Sequence, residues 1–215
     1  MLTIAVLSQK GGSGKTTVAT NLAAAALLED EPTILIDLDR QQSAVDWSYA
    51  RPLGSRLREI HVVDSSRPSV SVRKIRELSA GYGVAILDGP PRLGDMTRAA
   101  AMAADVVLVP LQPSQLDLWA YEETAKVLDE ADRFRNDLGR EPAKRLLVLN
   151  RAVARSRMAR SCAAALETYD VVGALHQRQA FPEATASGES VLTTDANSDA
   201  AFEVRRLWRA VRGQA

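Results

Sequence analysis

The chain has a single cysteine, Cys162, in a helical Ser-Cys-Ala-Ala-Ala stretch. That excludes an internal disulfide or a cysteine metal cluster, and core packing is the expected place of the thiol. Its 27 basic and 27 acidic side chains cancel, so any contact with nucleic acid has to come from a local patch. No stretch approaches the ~20 consecutive apolar residues that a membrane-spanning helix needs. The N-terminus runs straight into an apolar strand with no basic n-region or cleavage site, and a cytoplasmic location is expected. Neither an internal repeat nor a low-complexity linker divides the chain, so one domain over residues 1–215 is expected. His61 and His176 have no acidic or cysteine neighbour at ligand spacing and read as structural, and Trp47, Trp119 and Trp208 are expected to anchor helices to the core.

What is present is a steady alternation of short apolar runs with helical stretches, which predicts an α/β fold: a mostly parallel twisted sheet with helices on both faces. Strands are expected at 3–8, 33–37, 61–63, 84–88, 106–111, 146–150 and 172–175. Helices are expected at 16–28, 43–49, 70–79, 96–103, 116–138, 158–169 and 199–212. In such folds ligands sit beyond the carboxyl ends of the strands, so the residues after each apolar run carry the functional reading.

After the first strand comes Lys10-Gly11-Gly12-Ser13-Gly14-Lys15-Thr16-Thr17. Closely spaced glycines let a backbone turn tightly with its N–H groups inward and keep Cβ atoms away from a phosphate chain. Lys15 can reach β and γ phosphates, the Thr16 hydroxyl can ligate Mg²⁺, and the following helix offers its positive end to the same anion. The pattern is a phosphate loop of a variant kind: Gln9 stands where the common form has its first glycine, and Lys10 adds a second lysine at the entrance.

Carboxylates close two further strands: Asp37 and Asp39 after 33–36, and Asp88 before Gly89-Pro90-Pro91. Beside a phosphate loop, such groups can serve Mg²⁺ and hold a water in line with the γ phosphate; any single one could equally cap a helix. Arg92 follows in a Pro- and Gly-rich loop suited to sensing the γ phosphate or to solvation. Asn150 ends the sixth strand and either offers an adenine edge a donor and an acceptor or is a polar strand terminus. Two arginine groups remain. Arg151, Arg155, Arg157 and Arg160 lie in a stretch without acids, and Arg205, Arg209 and Arg212 share one face of the last helix with Arg206 at its flank. The opposite face, Val204, Leu207, Trp208 and Val211, reads as a docking face, which leaves the arginines open to phosphate; a membrane-surface helix is the alternative.

These residues resemble the ParA/MinD family of deviant Walker ATPases. The likeness covers Lys10 to Thr17, Ile34 to Asp39 with Gln41, Asp88 to Pro91 with Leu93 and Gly94, Ala104 to Pro113 with Leu116 and Asp117, and Asn150. Overall length is similar to the short ParF-type proteins of plasmid partition. The resemblance implies a P-loop fold and an ATPase with ATP and Mg²⁺ as cofactors. Lys10 would be the signature lysine that crosses a homodimer interface to the facing subunit's phosphates, and Lys15 the phosphate-binding lysine. Thr16 would be the Mg²⁺ ligand, with Asp37 and Asp88 acting on the metal through water. Asp39 would position the hydrolytic water, and Asn150 would read adenine. It implies non-specific DNA binding by the ATP dimer through surface arginines, with Arg151, Arg155, Arg157, Arg205 and Arg209 as candidates. A ParB-like partner would stimulate slow hydrolysis, in plasmid partition or chromosome segregation on the nucleoid. Arg40 stands where the family has a proline, and a differently tuned hydrolysis follows. Nitrogenase-reductase and arsenite-pump relatives need cysteines this chain lacks, and a tyrosine-kinase relative needs a C-terminal tyrosine cluster. The alternatives are ParA-like positioning of a protein cargo, a MinD-like membrane positioner, and a ligase resembling dethiobiotin synthetase. Membrane association is not expected, because the last helix is needed to cover the sheet.

Overall fold

The structure, a computed structural model, describes residues 1–66, 71–153 and 169–214. Among these residues seven strands form one sheet: β1 (Leu2–Val6), β2 (Thr33–Asp37), β3 (His61–Asp64), β4 (Val84–Asp88), β5 (Val106–Leu111), β6 (Lys144–Ala152) and β7 (Val171–His176). Their order is β3-β2-β4-β1-β5-β6-β7, and every pairing is parallel. The helices among the described residues are α1 (Lys15–Leu28), α2 (Ser43–Tyr49), α3 (Val72–Ser79), α4 (Asp95–Ala103), α5 (Gln115–Asp137), α6 (Ala180–Ala186), α7 (Val191–Thr194) and α8 (Asp199–Arg212), with a 3₁₀ turn at Arg56–Glu59.

Side-chain alternation along the strands builds two cores. Ile4, Val6, Leu35, Ile86, Leu108 and Val148 face the layer that holds α1, α2 and α6 to α8. Ala5, Ile34, Ile36, Leu87, Val109 and Leu149 face the layer of α3 to α5. Because the central strands are covered on both faces, they read as unbroken apolar runs, as parallel strands do. Helix α1 is buried on nearly all sides, with Ala23, Ala24 and Ala26 wholly inaccessible; small side chains let it sit between the sheet and α8.

Several expectations shift. Strand β6 extends two residues further at each end than expected, and α6, α7 and the 3₁₀ turn are additional. The expected helix 158–169 lies outside the described residues except for Tyr169, as do Cys162, Arg155, Arg157 and Arg160. Trp47 and Trp208 are buried as expected, at 2% and 1% exposure, whereas Trp119 is 57% exposed. The buried positions of α5 include Asp117, Tyr121, Thr124 and Leu128, and at 3.6 residues per turn Trp119 falls on the far side. The apolar face of α8, Val204, Leu207, Trp208 and Val211, is buried against β7 and α1, so this helix is docked. Among the described residues no helix is long and apolar enough to cross a membrane.

Candidate nucleotide site

The loop between β1 and α1 ends in two residues that require glycine's left-handed backbone, Gly12 at φ 74° and Gly14 at φ 91°. Gly14 is also crowded: a Cβ there would stand 1.9 Å from Asn150 Nδ2. That closeness has a purpose in the fold, since Asn150 Nδ2 donates to the Ser13 carbonyl at 2.7 Å and fastens the loop to the end of β6. From the other side Gln112 Nε2 donates to the Gly12 carbonyl at 3.0 Å. The loop is thus held between the ends of β5 and β6, with Gly11 and Gly12 exposed.

Lys15 opens α1 at only 6% exposure, its Nζ 3.3 Å from the Lys10 carbonyl. Burial lowers its pKa against the attraction of Asp88 and Asp39. An ammonium in that setting gains from any anion brought to the loop. Thr16 Oγ1 donates to Asp88 Oδ2 at 2.7 Å. Asp88 is wholly buried, and desolvation pushes its pKa up to about 7, opposed by the Thr16 hydrogen bond and reinforced by the charge of Asp37. The two carboxylates are neighbours because Asp37 and Asp88 are register partners on β2 and β4. Gly89 then lets the chain leave β4 against β1, where a Cβ would meet Leu7 Cδ2 at 2.4 Å.

Both oxygens of Asp37 are engaged by the backbone. Oδ1 accepts from Asp39 N–H at 3.0 Å, and Oδ2 from Ala44 and Val45 N–H at 2.9 and 3.2 Å. Burial raises its pKa while these hydrogen bonds lower it. Asp37 therefore shapes the turn that carries Asp39 and starts α2. Asp39 is 9% exposed, and its Oδ1 accepts from Gln41 N–H at 3.1 Å.

Lys10 sits apart from this cluster. Its Nζ is 2.6 Å from Asp117 Oδ2, with the lysine side chain 35% exposed and the aspartate 1%. Asp117 also accepts from Gln112 N–H and from the Ser114 hydroxyl, so it is fixed at the first turn of α5. A cavity of about 1090 Å³ adjoins the loop beyond Thr17 and Asn150, bordered by Arg151, His176, Arg178 and Phe181.

Residues 4–191 match the family described as the CobQ/CobB/MinD/ParA nucleotide binding domain. The chain belongs to this family. Among ParA-type relatives, "Maintenance of carboxysome distribution protein A" of Halothiobacillus neapolitanus is 31% identical over 97% of this chain and 95% of its own length. The chromosome-partitioning ATPase Soj of Thermus thermophilus is 31% identical over 67% of this chain and 66% of its own. Two solved structures share the fold at low identity. A Cyanothece McdA–ATP complex has a TM-score of 0.79 at 16% identity, covering 100% of this chain and 96% of that one. An AMPPNP-bound plasmid partition protein from Borrelia burgdorferi has a TM-score of 0.77 at 19% identity, covering 100% and 99%.

As a ParA/MinD-family domain, the chain brings Lys10 to Thr17, Asp37, Asp39, Asp88 and Asn150 to one end of the sheet, as expected. The arginines divide. Arg151, the residue before the end of β6, has φ 51°, lies inside a register irregularity between Leu149 and Ala152, and borders the cavity. Arg205 Nη1 donates to the Ala196 carbonyl at 2.7 Å, and Arg212 bridges Glu29 and Glu31. The exposed residues of α8 are Asp199, Phe202, Arg206, Arg209 and Arg212, so Arg206 accompanies Arg209 where the sequence pattern puts Arg205. Two partners are not readable from local sequence. Asp117 lies 107 residues from Lys10, and Glu203, which holds His176 and Arg178, lies on a different element from both.

Proposed function

We propose that this chain is a ParA-like ATPase that switches between a free form and an ATP-bound, DNA-associated homodimer. The observation that carries the reading is Lys10: a cation at the mouth of the phosphate loop, a third exposed and paired outside the loop with Asp117. A lysine serving only its own loop has no need of that position. One that crosses to a second chain's phosphates has to stand at the surface.

In this reading the loop N–H groups and Lys15 bind the phosphates, and the cavity beyond Thr17 and Asn150 takes the nucleoside. Thr16 and Asp88 suit Mg²⁺. The hydroxyl gives its proton to Oδ2 and keeps lone pairs for a cation, and the buried Oδ1 of Asp88 has no hydrogen-bond partner among the described residues. Asp37 adds charge beside them while holding the turn. When bound, Mg²⁺ neutralises phosphate charge. Asp39, on its pinned turn, orients the hydrolytic water as acceptor of its hydrogen bond. Arg206 and Arg209, with Arg151, Arg155, Arg157 and Arg205 as further candidates, meet DNA phosphates without reading sequence. A ParB-like partner stimulates slow hydrolysis and so releases the dimer from the nucleoid.

Sedimentation with and without ATP tests the scheme. Lys15→Ala is expected to lose nucleotide binding and Lys10→Ala to bind ATP without dimerising. Asp39→Ala is expected to remain a dimer because it does not hydrolyse. Dimerisation of Lys10→Ala with ATP would remove the central element.

One observation favours a protein cargo over a DNA cargo: the match to the carboxysome distribution protein covers 97% of the chain, against 59% for a Myxococcus xanthus chromosome partitioning ParA. Cells lacking this chain that inherit their replicons normally but cluster a protein assembly support that cargo. Replicon loss supports partition.

A further inference from the structure

His176 ends β7 and borders the cavity beside Thr17 and Asn150. Its approach is set by the irregularity in β6: after Arg151 the ladder resumes with Ala152 opposite His176, and Gln177 N–H donates to the Ala152 carbonyl at 3.0 Å. Glu203 of α8 then grips the residue twice. Oε2 accepts the His176 backbone N–H at 3.0 Å, and Oε1 lies 2.8 Å from His176 Nδ1. Arg178 adds Nη2 at 2.7 Å and Nε at 3.2 Å to the same Oε1. Although burial raises the pKa of Glu203, the hydrogen bonds from Arg178 and His176 bring it below the usual carboxylate value.

An ionised carboxylate accepts hydrogen bonds and donates none. The hydrogen between Nδ1 and Oε1 therefore belongs to the imidazole, which fixes its tautomer. In the neutral ring Nε2 is left as an acceptor, on the edge away from Glu203. Asn150 also borders the cavity, but a carboxamide offers a donor and an acceptor and can meet either kind of purine edge. A tautomer-locked imidazole offers one sign only.

We propose that His176 selects a 6-aminopurine over a 6-oxopurine in this cavity, with Nε2 accepting from the exocyclic amine and facing a guanine carbonyl unfavourably. Glu203 is its positioning residue, and Arg178 holds Glu203. The inference rests on the reading of the cavity as the nucleoside site.

The test measures binding of ATP, GTP and inorganic tripolyphosphate, each with Mg²⁺, to the whole chain and to His176→Ala and His176→Gln. Tripolyphosphate reads the phosphate loop with no base present. The wild type is expected to prefer ATP to GTP. His176→Ala is expected to lose about fivefold to tenfold of that preference, the worth of one neutral hydrogen bond, with tripolyphosphate affinity unchanged. His176→Gln, which keeps an acceptor, is expected to recover ATP affinity. An ATP to GTP ratio unaffected by His176→Ala, with tripolyphosphate still bound, overturns the inference. Failure of the wild type to bind ATP and tripolyphosphate overturns the nucleotide site itself. A readout on the unaltered chain is the ¹⁵N spectrum of His176. The inference requires protonated Nδ1 and a change at Nε2 with ATP but not with GTP; the opposite tautomer contradicts it.

Discussion

Lys10 Nζ is bound to the buried carboxylate of Asp117 at 2.6 Å, within its own chain. In a switch that closes through Lys10, this pair has to open before the lysine can serve another subunit. With the lysine a third exposed, solvent screens the pair, which is worth about 1 kcal/mol. Asp117→Asn keeps an acceptor for Gln112 N–H and removes the charge. It is expected to strengthen ATP-dependent self-association about fivefold, measured by sedimentation at several protein concentrations. Weaker association at unchanged melting temperature contradicts this role for the pair.

Gly14 and Asn150 form a second linked pair. Asn150→Ala leaves the Ser13 carbonyl without that donor, an expected loss of about 1–3 kcal/mol in stability. Gly14→Ala adds the clash with Asn150 Nδ2 to the cost of a left-handed backbone, about 1–2 kcal/mol. In the double variant the clash is gone and the backbone cost stays. Denaturant unfolding is expected to show the double variant less destabilised than the sum of the singles.

The depth at which the site is encoded differs between its parts. The central strands are covered on both faces, so runs such as Ile34-Leu35-Ile36 declare themselves, and Lys10 to Thr17 carries its backbone requirement in its glycines. Tertiary pairings are not local signals. Helix α7 is short and leans on α1 through Asn21 Oδ1, which accepts from the Ser190 hydroxyl and Val191 N–H. Asp37 reads as a metal-side carboxylate by residue type and position, yet its backbone hydrogen bonds form only once α2 is folded against it. Trp119 reads as an anchor by residue type alone, but the buried face of α5 runs through Asp117, Tyr121 and Thr124 and turns the indole outward.

Glu203 gives the fold a pH dependence of known sign. Its folded pKa lies below the ordinary value of 4.5, so the unfolded chain takes up its proton first as pH falls. The stabilisation from this carboxylate is complete above about 4.5 and is lost as pH drops through its lower folded value. Glu203→Gln is expected to melt at a lower temperature than wild type at pH 7. The gap should close at the acid end, as read by thermal melts across pH.

The open arginines of α8 separate DNA binding from helix docking. Arg206→Ala with Arg209→Ala is expected to weaken binding to arbitrary duplex and to flatten its salt dependence, by about 0.9 in log–log slope for each phosphate no longer neutralised. Arg212→Ala, which breaks the pairs to Glu29 and Glu31, is expected to lower stability and leave that slope unchanged. Salt titrations of both variants check this.

The most direct test of the account is equilibrium binding of the purified chain to an arbitrary DNA duplex at moderate salt, with ATP, with ADP and with no nucleotide. The account predicts binding with ATP alone, lost in Lys10→Ala. Binding that is equal in all three conditions, or absent in all three, contradicts an ATP-gated switch on DNA.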